Sequence, residues 1–374
     1  MVLNSVWYDP RVRKQINAYI ENGVDVVVVG YKCSRYDSER VADISCPVTI
    51  LEIDKSYVGH LRSPFRKLQR ESIKNQNICD AVLAYRPDVI HANDLDTLSA
   101  CVKAAKKLKC RVIYDSHEIC VENQHMKGLY KKYAALVEKR NIRKIDQMVC
   151  VSHAAAEYFA KKYRIQYPMV LTNCSLLSER IVSDKKNDGF EILNHGQYYE
   201  GRGYDIMIES LPYLREYPDI KIALRGFGKL EEFLKSRAKE LGDENVRFYP
   251  KVLVEELIEK ASESYVGVAI TEDTCINFRL SVSNKLFEYA SAGLPVIMSD
   301  IPEHRYLNDK YHFGVIISEN TPEAFTAAAI NLFTDKEFYN SCVVGALKLT
   351  KEVNWEYEFE RLIKLERSWI DGSQ

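Results

Sequence analysis

The 374-residue chain lacks any apolar run approaching the roughly 18 residues that a membrane-spanning helix needs. Met1–Tyr8 has no basic start, apolar centre or small-residue cleavage site, so it does not read as a secretory signal, and a cytoplasmic protein is expected. The ten cysteines are scattered singly and never form a C-x-x-C pair, which excludes the common zinc and dithiol motifs. Free thiols and no metal site are expected. No low-complexity tract or short-period repeat is present, and with 46% hydrophobic and 28% charged residues neither extended disorder nor a fibrous architecture fits. A length near twice the roughly 150 residues of a typical domain points to two domains.

The formal net charge of −1 conceals an asymmetry. Residues 1–164 carry 28 lysines and arginines against 19 aspartates and glutamates, a net of +9, whereas residues 165–374 carry 24 against 34, a net of −10. A basic half implies an anionic partner, either nucleic acid or an anionic membrane surface. No zinc-finger or stacking-aromatic pattern accompanies the charge, so no nucleic-acid partner is expected.

Short β-branched runs alternate with helical periodicity, the pattern of βαβ units on parallel sheets. In the first half, strands are predicted at Asp25–Gly30, Asp88–Ala92, Arg111–Asp115, Gln147–Ser152 and Met169–Asn173, with helices at Val12–Glu21 and Thr97–Lys107. The polar stretch Ser178–Gly189 ends in Asp-Gly and is placed as the linker. A second series follows, with strands at Phe190–His195, Ile220–Arg225, Val246–Tyr249, Val266–Ile270, Pro295–Ser299 and Gly314–Ile317. Helices are predicted at Gly203–Leu214, Leu230–Leu241, Glu255–Ser264 and Asn284–Ala292. The fold class is therefore α/β, with two doubly wound, Rossmann-like parallel-sheet domains at 1–177 and 190–354. Such sheets bind ligands beyond the carboxyl ends of their strands, so two facing each other would hold a ligand in the cleft between them.

Candidate site residues should stand just after strands. His117 does, in Tyr-Asp-Ser-His-Glu after Arg111–Asp115, and could donate to a substrate hydroxyl or phosphate, although a lone histidine is often structural. Asp94 and Asp96 follow the preceding strand, either as caps of the next helix or as substrate contacts. In the second half, His195-Gly196-Gln197-Tyr198-Tyr199-Glu200-Gly201-Arg202-Gly203 opens a helix where glycine permits close backbone approach and Arg202 could hold a phosphate. Gly226-Phe227-Gly228 is half of a dinucleotide fingerprint, with Glu231 in place of the third glycine. The most informative segment is SVSNKLFEYASAGLPV, from Ser281 to Val296. Asn284, Lys285 and Glu288 share one helical face there, near free N–H groups suited to a diphosphate. Glu288 is placed to accept both hydroxyls of a ribose. A solvated Lys–Glu pair on a capped helix is the plainer alternative.

In order and spacing, Asp9-Pro10-Arg11-Val12, HANDLDTL, Tyr114–Glu118, Val151-Ser152, the GQYYEGRG loop, SNKLFEYASAGLPV and the closing Asn354-Trp355-Glu356 resemble the retaining glycosyltransferases of family 4, with the GT-B fold. The resemblance implies that a nucleotide sugar (UDP-, GDP- or ADP-linked) binds the second domain and that the acceptor binds the first. It also implies a last helix, about 355–370, packing back on the first domain. Arg202 then matches the cation that holds the donor diphosphate, Glu288 the ribose-binding glutamate, and His117 a histidine near the transferring sugar. Lys285 joins Arg202 as a catalytic cation. Gly196, Gln197, Gly226, Ser283 and Asn284 fall with Glu288 on the donor side, and Asp9, Arg11, Asp94 and Asp96 on the acceptor side. The family's first glutamate is replaced by Leu280, so its contact to the sugar is expected from Glu272 or Asp273.

The resemblance implies transfer of a sugar, with retention and without cofactor or obligatory metal, to a glycan or lipid-linked acceptor in surface polysaccharide or glycolipid synthesis. In a front-face reaction the leaving phosphate can itself take the acceptor proton, and no paired-carboxylate hydrolase signature is present. The basic half fits an anionic membrane, with peripheral attachment at its inner face. Gly128–Gln147 places Leu129, Tyr133, Leu136 and Val137 at helical spacing among lysines and arginines, and core contacts beneath a solvated basic face are the alternative. A nicotinamide-dependent oxidoreductase, supported by Gly226 and Gly228 alone, and a catalytically impaired GT-B protein are the competing functions. The chain starts almost inside its first strand, which leaves room for a longer amino terminus.

Overall fold

The computed structural model describes residues 1–3, 10–31, 45–52 and 64–372. They divide into two compact units, one formed by Met1–Leu171 with Glu358–Gln374 and the other by Thr172–Tyr357. The first boundary lies ahead of the polar stretch at 178–189. That stretch belongs to the second unit, where the Ile181 N–H donates to the Ser291 carbonyl over 3.0 Å.

The first unit is built on a parallel sheet of seven strands among the described residues, ordered β3-β2-β1-β4-β5-β6-β7. They are β1 (Val2–Leu3), β2 (Val28–Tyr31), β3 (Val48–Leu51), β4 (Val89–Asn93), β5 (Arg111–Ser116), β6 (Gln147–Cys150) and β7 (Met169–Val170). Helices on both faces bury the central strands, which explains why they read as unbroken apolar runs instead of alternating ones. β1 is the first strand inside which the chain was expected to start, whereas β3, a partly exposed edge strand, escapes the sequence pattern. The Pro64–Tyr85 helix escapes it as well, its polar middle masking the periodicity.

The second unit holds a six-stranded parallel sheet ordered β10-β9-β8-β11-β12-β13. These strands are β8 (Phe190–Gln197), β9 (Ile220–Phe227), β10 (Val246–Tyr249), β11 (Val266–Ala269), β12 (Val296–Ser299) and β13 (Gly314–Ile317). The helix expected over Gly203–Leu214 is split into an α-helix at Tyr204–Glu209 and a 3-10 turn at Leu211–Leu214. Pro212 lacks the N–H that would continue the ladder. Three further helices, Pro302–Tyr311, Pro322–Thr334 and Lys336–Glu352, complete the unit. Thr321 and Asp335 cap the last two, accepting from the N–H groups of Ala324 and Phe338.

The terminal helix, Trp355–Ile370, begins in the second unit and belongs to the first from Glu358 onward. Phe359 meets the Tyr19 ring edge-on at 4.8 Å, and Arg361 and Arg367 donate to the carbonyls of Val170 and Asn22. In each sheet the strand order reverses once, between β1 and β4 and between β8 and β11. These are the positions where a doubly wound sheet opens at its carboxyl edge.

Candidate active site

In the second unit the residues converge on the reversal point. Gly267 of β11 has no side chain because the Tyr289 ring lies against it, and an added Cβ would stand 2.2 Å from that ring. This close approach carries the Tyr289 hydroxyl to the backbone of β8, where it accepts the His195 N–H at 2.9 Å. The helix Asn284–Ser291 is thereby fixed beside the end of β8, and its inward face reaches the sheet.

Glu288 and Lys285, expected on one helical face, both point to β8. The Lys285 ammonium donates to Asn194 Oδ1 at 2.7 Å and to the Tyr204 hydroxyl at 3.3 Å, and it lies 4.9 Å over the Tyr204 ring. Glu288 Oε2 pairs with His195 Nε2 at 2.7 Å. The solvated Lys–Glu pair is therefore not what forms. Burial, aided by the charge of Arg202, pulls Lys285 down to about 7 against the opposing pull of Glu288. His195 is also lowered, first by burial, although its bond to Glu288 favours the charged ring.

Asn194 Nδ2 donates to the Arg202 carbonyl at 3.0 Å and so holds the GRG loop against the sheet. The Arg202 guanidinium stacks 4.8 Å over Phe278, reaches Thr271 Oγ1 at 3.5 Å, and is lowered by burial. Ser283 stands at the start of the helix without capping it through its side chain, although its carbonyl accepts the Leu286 N–H at 3.1 Å. Gln197 and Asn284 are exposed at the same edge.

Two of the expected donor-side features have other contacts in the structure. Gly226 faces the Gly196 carbonyl, which an added Cβ would meet at 1.8 Å, and Gly228 is similarly packed against Tyr198. Main-chain packing between β8 and β9 thus accounts for both glycines, and the dinucleotide fingerprint has no support. Of the two carboxylates expected to replace the missing glutamate at Leu280, Asp273 is paired with Arg279 at 2.7 Å. Glu272 stays half-buried beside the loop, its N–H bonded to the Gly201 carbonyl, and is raised by burial with Asp205 and Glu200 nearby. Sequence reasoning missed the roles of His195, Asn194 and Arg225. Arg225 is buried with its guanidinium 4.5 Å over the Tyr249 ring and pairs in register with His195 across β8 and β9.

In the first unit, His117 follows β5. Its Nε2 lies 3.1 Å from Asn93 Oδ1 and 3.7 Å from Asp115 Oδ2, and its Nδ1 lies 3.5 Å from Asp94 Oδ2. Asp94 does not cap the Leu95–Leu108 helix with its side chain. It sits at φ 62° and its carboxylate accepts the His117 N–H at 3.2 Å. Asp96, in the first helical turn, is pushed up to about 7 by burial and by Asp94.

Arg11, expected at the acceptor, is instead 2% exposed. It donates to both oxygens of Asp115 and, at 2.7 Å, to the Leu171 carbonyl. Its task is internal, since a buried carboxylate needs an opposing charge. Asp9 lies outside the described residues. A cavity of about 310 Å³ occupies the opposite end of this sheet, lined by Tyr19, Val29, Val82, His91, Ile363 and Glu366 among others, away from His117.

Residues 8–171 match the model of a glycosyl transferase 4-like domain, and residues 189–335 match that of glycosyl transferases group 1. No curated protein matches the chain. Among solved structures, HepE of Anabaena, determined in complex with UDP, is similar with a TM-score of 0.78 at 12% identity over 98% of both chains. The sucrose-phosphate synthase of Thermosynechococcus elongatus is similar with a TM-score of 0.76 at 15% identity over 100% of this chain and 99% of that one. A glycosyltransferase from Rickettsia africae gives 0.73 at 12% identity over 100% and 98%.

Proposed function

Because the chain belongs to the family 4 type of glycosyltransferases, with the GT-B fold, we propose that it transfers a sugar from a nucleotide-sugar donor with retention of configuration. One observation carries this reading. Arg202, Lys285 and the start of the Asn284–Ser291 helix, which has no side-chain cap, meet at the reversal point of the second sheet, with Glu288 one turn away. Two cations and helix-terminal N–H groups suit a leaving diphosphate, and a carboxylate one turn on suits ribose hydroxyls. HepE, of similar fold, was solved with UDP-glucose as well as UDP.

In this reading Arg202 and Lys285 stabilise the departing diphosphate, Glu272 binds the sugar hydroxyls that the apolar Leu280 side chain cannot, and no metal is required. His117, with Asp94 and Asp96, serves the acceptor end. The acceptor is a glycan or a lipid-linked sugar, made for a surface polysaccharide or glycolipid. A panel of UDP-, GDP- and ADP-sugars, scored for binding, turnover and product anomer with and without a chelator, tests it. Inversion, a need for metal, or binding of NAD in place of any nucleotide sugar would overturn the corresponding part. Binding without turnover would favour the impaired GT-B protein that Leu280 makes conceivable.

Attachment to an anionic membrane belongs to the same proposal. No helix among the described residues is long and apolar enough to cross a membrane. The Gly128–Asn141 helix leaves Leu129 75% and Leu136 44% exposed among Lys132, Lys139 and Arg140, so these leucines are not core contacts. An exposed basic face carrying leucines suits an interfacial site.

A further inference from the structure

We infer that Glu366 of the terminal helix is a positioning residue for His117, acting through a buried hydrogen-bond chain that runs by way of Tyr19, His91 and Asp115. The inference rests on the reading that His117 serves the acceptor end.

In the structure of the first unit the hydrogen bonds run from Glu366 to Asp115, and a charge contact of 3.7 Å carries the last step to His117. Glu366 Oε1 lies 2.7 Å from the Tyr19 hydroxyl, which lies 3.1 Å from His91 Nδ1. His91 Nε2 is 3.3 Å from Asp115 Oδ2, the oxygen that stands 3.7 Å from His117 Nε2. Glu366, Tyr19, His91 and Asp115 are all buried, so water does not substitute for a missing partner without cost. The lower end of the chain borders the 310 Å³ cavity.

Proton counting makes the chain act as a unit. A tyrosine hydroxyl has one proton and donates either to Glu366 or to His91. If Glu366 is protonated, it donates to the Tyr19 oxygen, Tyr19 donates to His91 Nδ1, and the neutral His91 donates its Nε2–H to Asp115. If Glu366 is ionised, Tyr19 turns to it and His91 Nδ1–H turns to Tyr19. His91 then satisfies Asp115 only by becoming a cation. The two arrangements hold the same number of protons. Burial favours the first, since it pushes Glu366 up to about 7 and lowers His91.

Loss of that one proton leaves the bare Nε2 of His91 facing Asp115 Oδ2. Asp115 keeps Arg11 and Gln15, but one donor is withdrawn from the oxygen nearest His117. The carboxylate then attracts a proton on His117 more strongly. Other charged groups around the chain are the Met1 amino group, Asp25, Arg86, Asp88 and Arg367 at the cavity, and Asp94 and Glu118 at His117. Of these, the Met1 amino group is itself lowered by burial and acts on Glu366 and His91, so an inflection that it alone causes would persist in Glu366→Gln and Tyr19→Phe, whereas one carried by the chain would not.

The test is an NMR titration of the full chain with labelled histidine, in which His117→Gln identifies the His117 signal among the eight histidines. The wild type should show a second inflection in that signal at the midpoint of the Glu366 and His91 proton, with a change of about twofold or more in the proton affinity of His117. Glu366→Gln holds a permanent donor and Tyr19→Phe cuts the chain, so the inflection should vanish in both. Glu360→Gln, on the exposed face of the same helix, should keep it. Tyr19→Phe removes a single oxygen and guards against misfolding of the other variant, with thermal melts as the check. An unaltered His117 titration in two folded variants overturns the inference. The turnover of nucleotide sugar should lose the same inflection with donor KM unchanged. If no transfer is found at all, the proposed function fails while the titration still decides the coupling.

Discussion

His195 Nε2 stands 2.7 Å from Glu288 Oε2, and the two residues come from different elements, the end of β8 and the helix that follows β11. The histidine is 1% exposed and the glutamate 26%, so a hidden residue orients the one that faces solvent. His195→Phe keeps a ring against Tyr289 but removes the donor, and should weaken nucleotide binding by about 1 kcal/mol. Glu288→Ala should weaken it by about 1–3 kcal/mol without unfolding the protein. Titration calorimetry measures both, and unchanged affinity in the alanine variant would remove Glu288 from the nucleotide site.

Lys285, placed by the proposal at the donor diphosphate, should make donor binding depend on pH. Held near 7 in the free protein, its amine is neutral above that pH, whereas a bound diphosphate favours the ammonium and lifts it. Affinity should therefore be flat below about pH 7 and decline above it. At pH 8 binding should take up a proton, seen as a binding enthalpy that varies with the buffer. Lys285→Met should lose both behaviours. The same lowered value means that the unfolded chain binds more protons between about pH 7 and the ordinary lysine value, so this group's contribution makes stability rise with pH across that window.

Arg202 is expected to act on the departing diphosphate more than on the bound donor. Arg202→Ala should lower kcat and kcat/KM together, with donor affinity changed less. An increase in KM at constant kcat would assign the arginine to ground-state binding alone.

The Arg11–Asp115 pair, at 2.9 Å and almost wholly buried, predicts a stability effect and not an acceptor effect. Removing the guanidinium in Arg11→Met strands the carboxylate and should cost about 3–5 kcal/mol, read from chemical denaturation. A fully stable variant with a raised acceptor KM would restore Arg11 to the acceptor site.

Membrane attachment predicts flotation with anionic vesicles at low salt and release as salt rises. Each basic residue near such a surface contributes about 1 kcal/mol, and the attraction fades beyond a Debye length of about 8–10 Å. Replacing Lys132, Lys139, Arg140 and Lys144 by glutamate should abolish flotation while nucleotide binding persists. Lys131 is a poorer choice because it is paired with Glu122 at 2.8 Å. Equal behaviour with neutral and anionic vesicles would make the basic face a solvated surface.

Much of the fold was legible locally. The runs at Val28–Val29, Val266–Ala269 and Val296–Met298 are apolar throughout because parallel strands are buried on both faces, and glycine at position 293 stops the helix before β12. The spacing of Asn284, Lys285 and Glu288 likewise declared a shared face, since a helix repeats every 3.6 residues. These are short-range consequences of side-chain shape and periodicity, which the chain carries whatever its neighbours.

Pairings between distant residues were not legible. That Lys285 would bond to Asn194, Glu288 to His195, and Arg11 to Asp115, 104 residues away, depends on strand order and burial. The same environment decided which arginine is buried and paired, which glycines serve packing, and which amine is lowered to near neutrality. The sequence alone determined the alternation of strands and helices and the residues available at their ends. Tertiary structure alone decided their partners and charges, because desolvation and hydrogen bonding are properties of the surroundings and not of the residue.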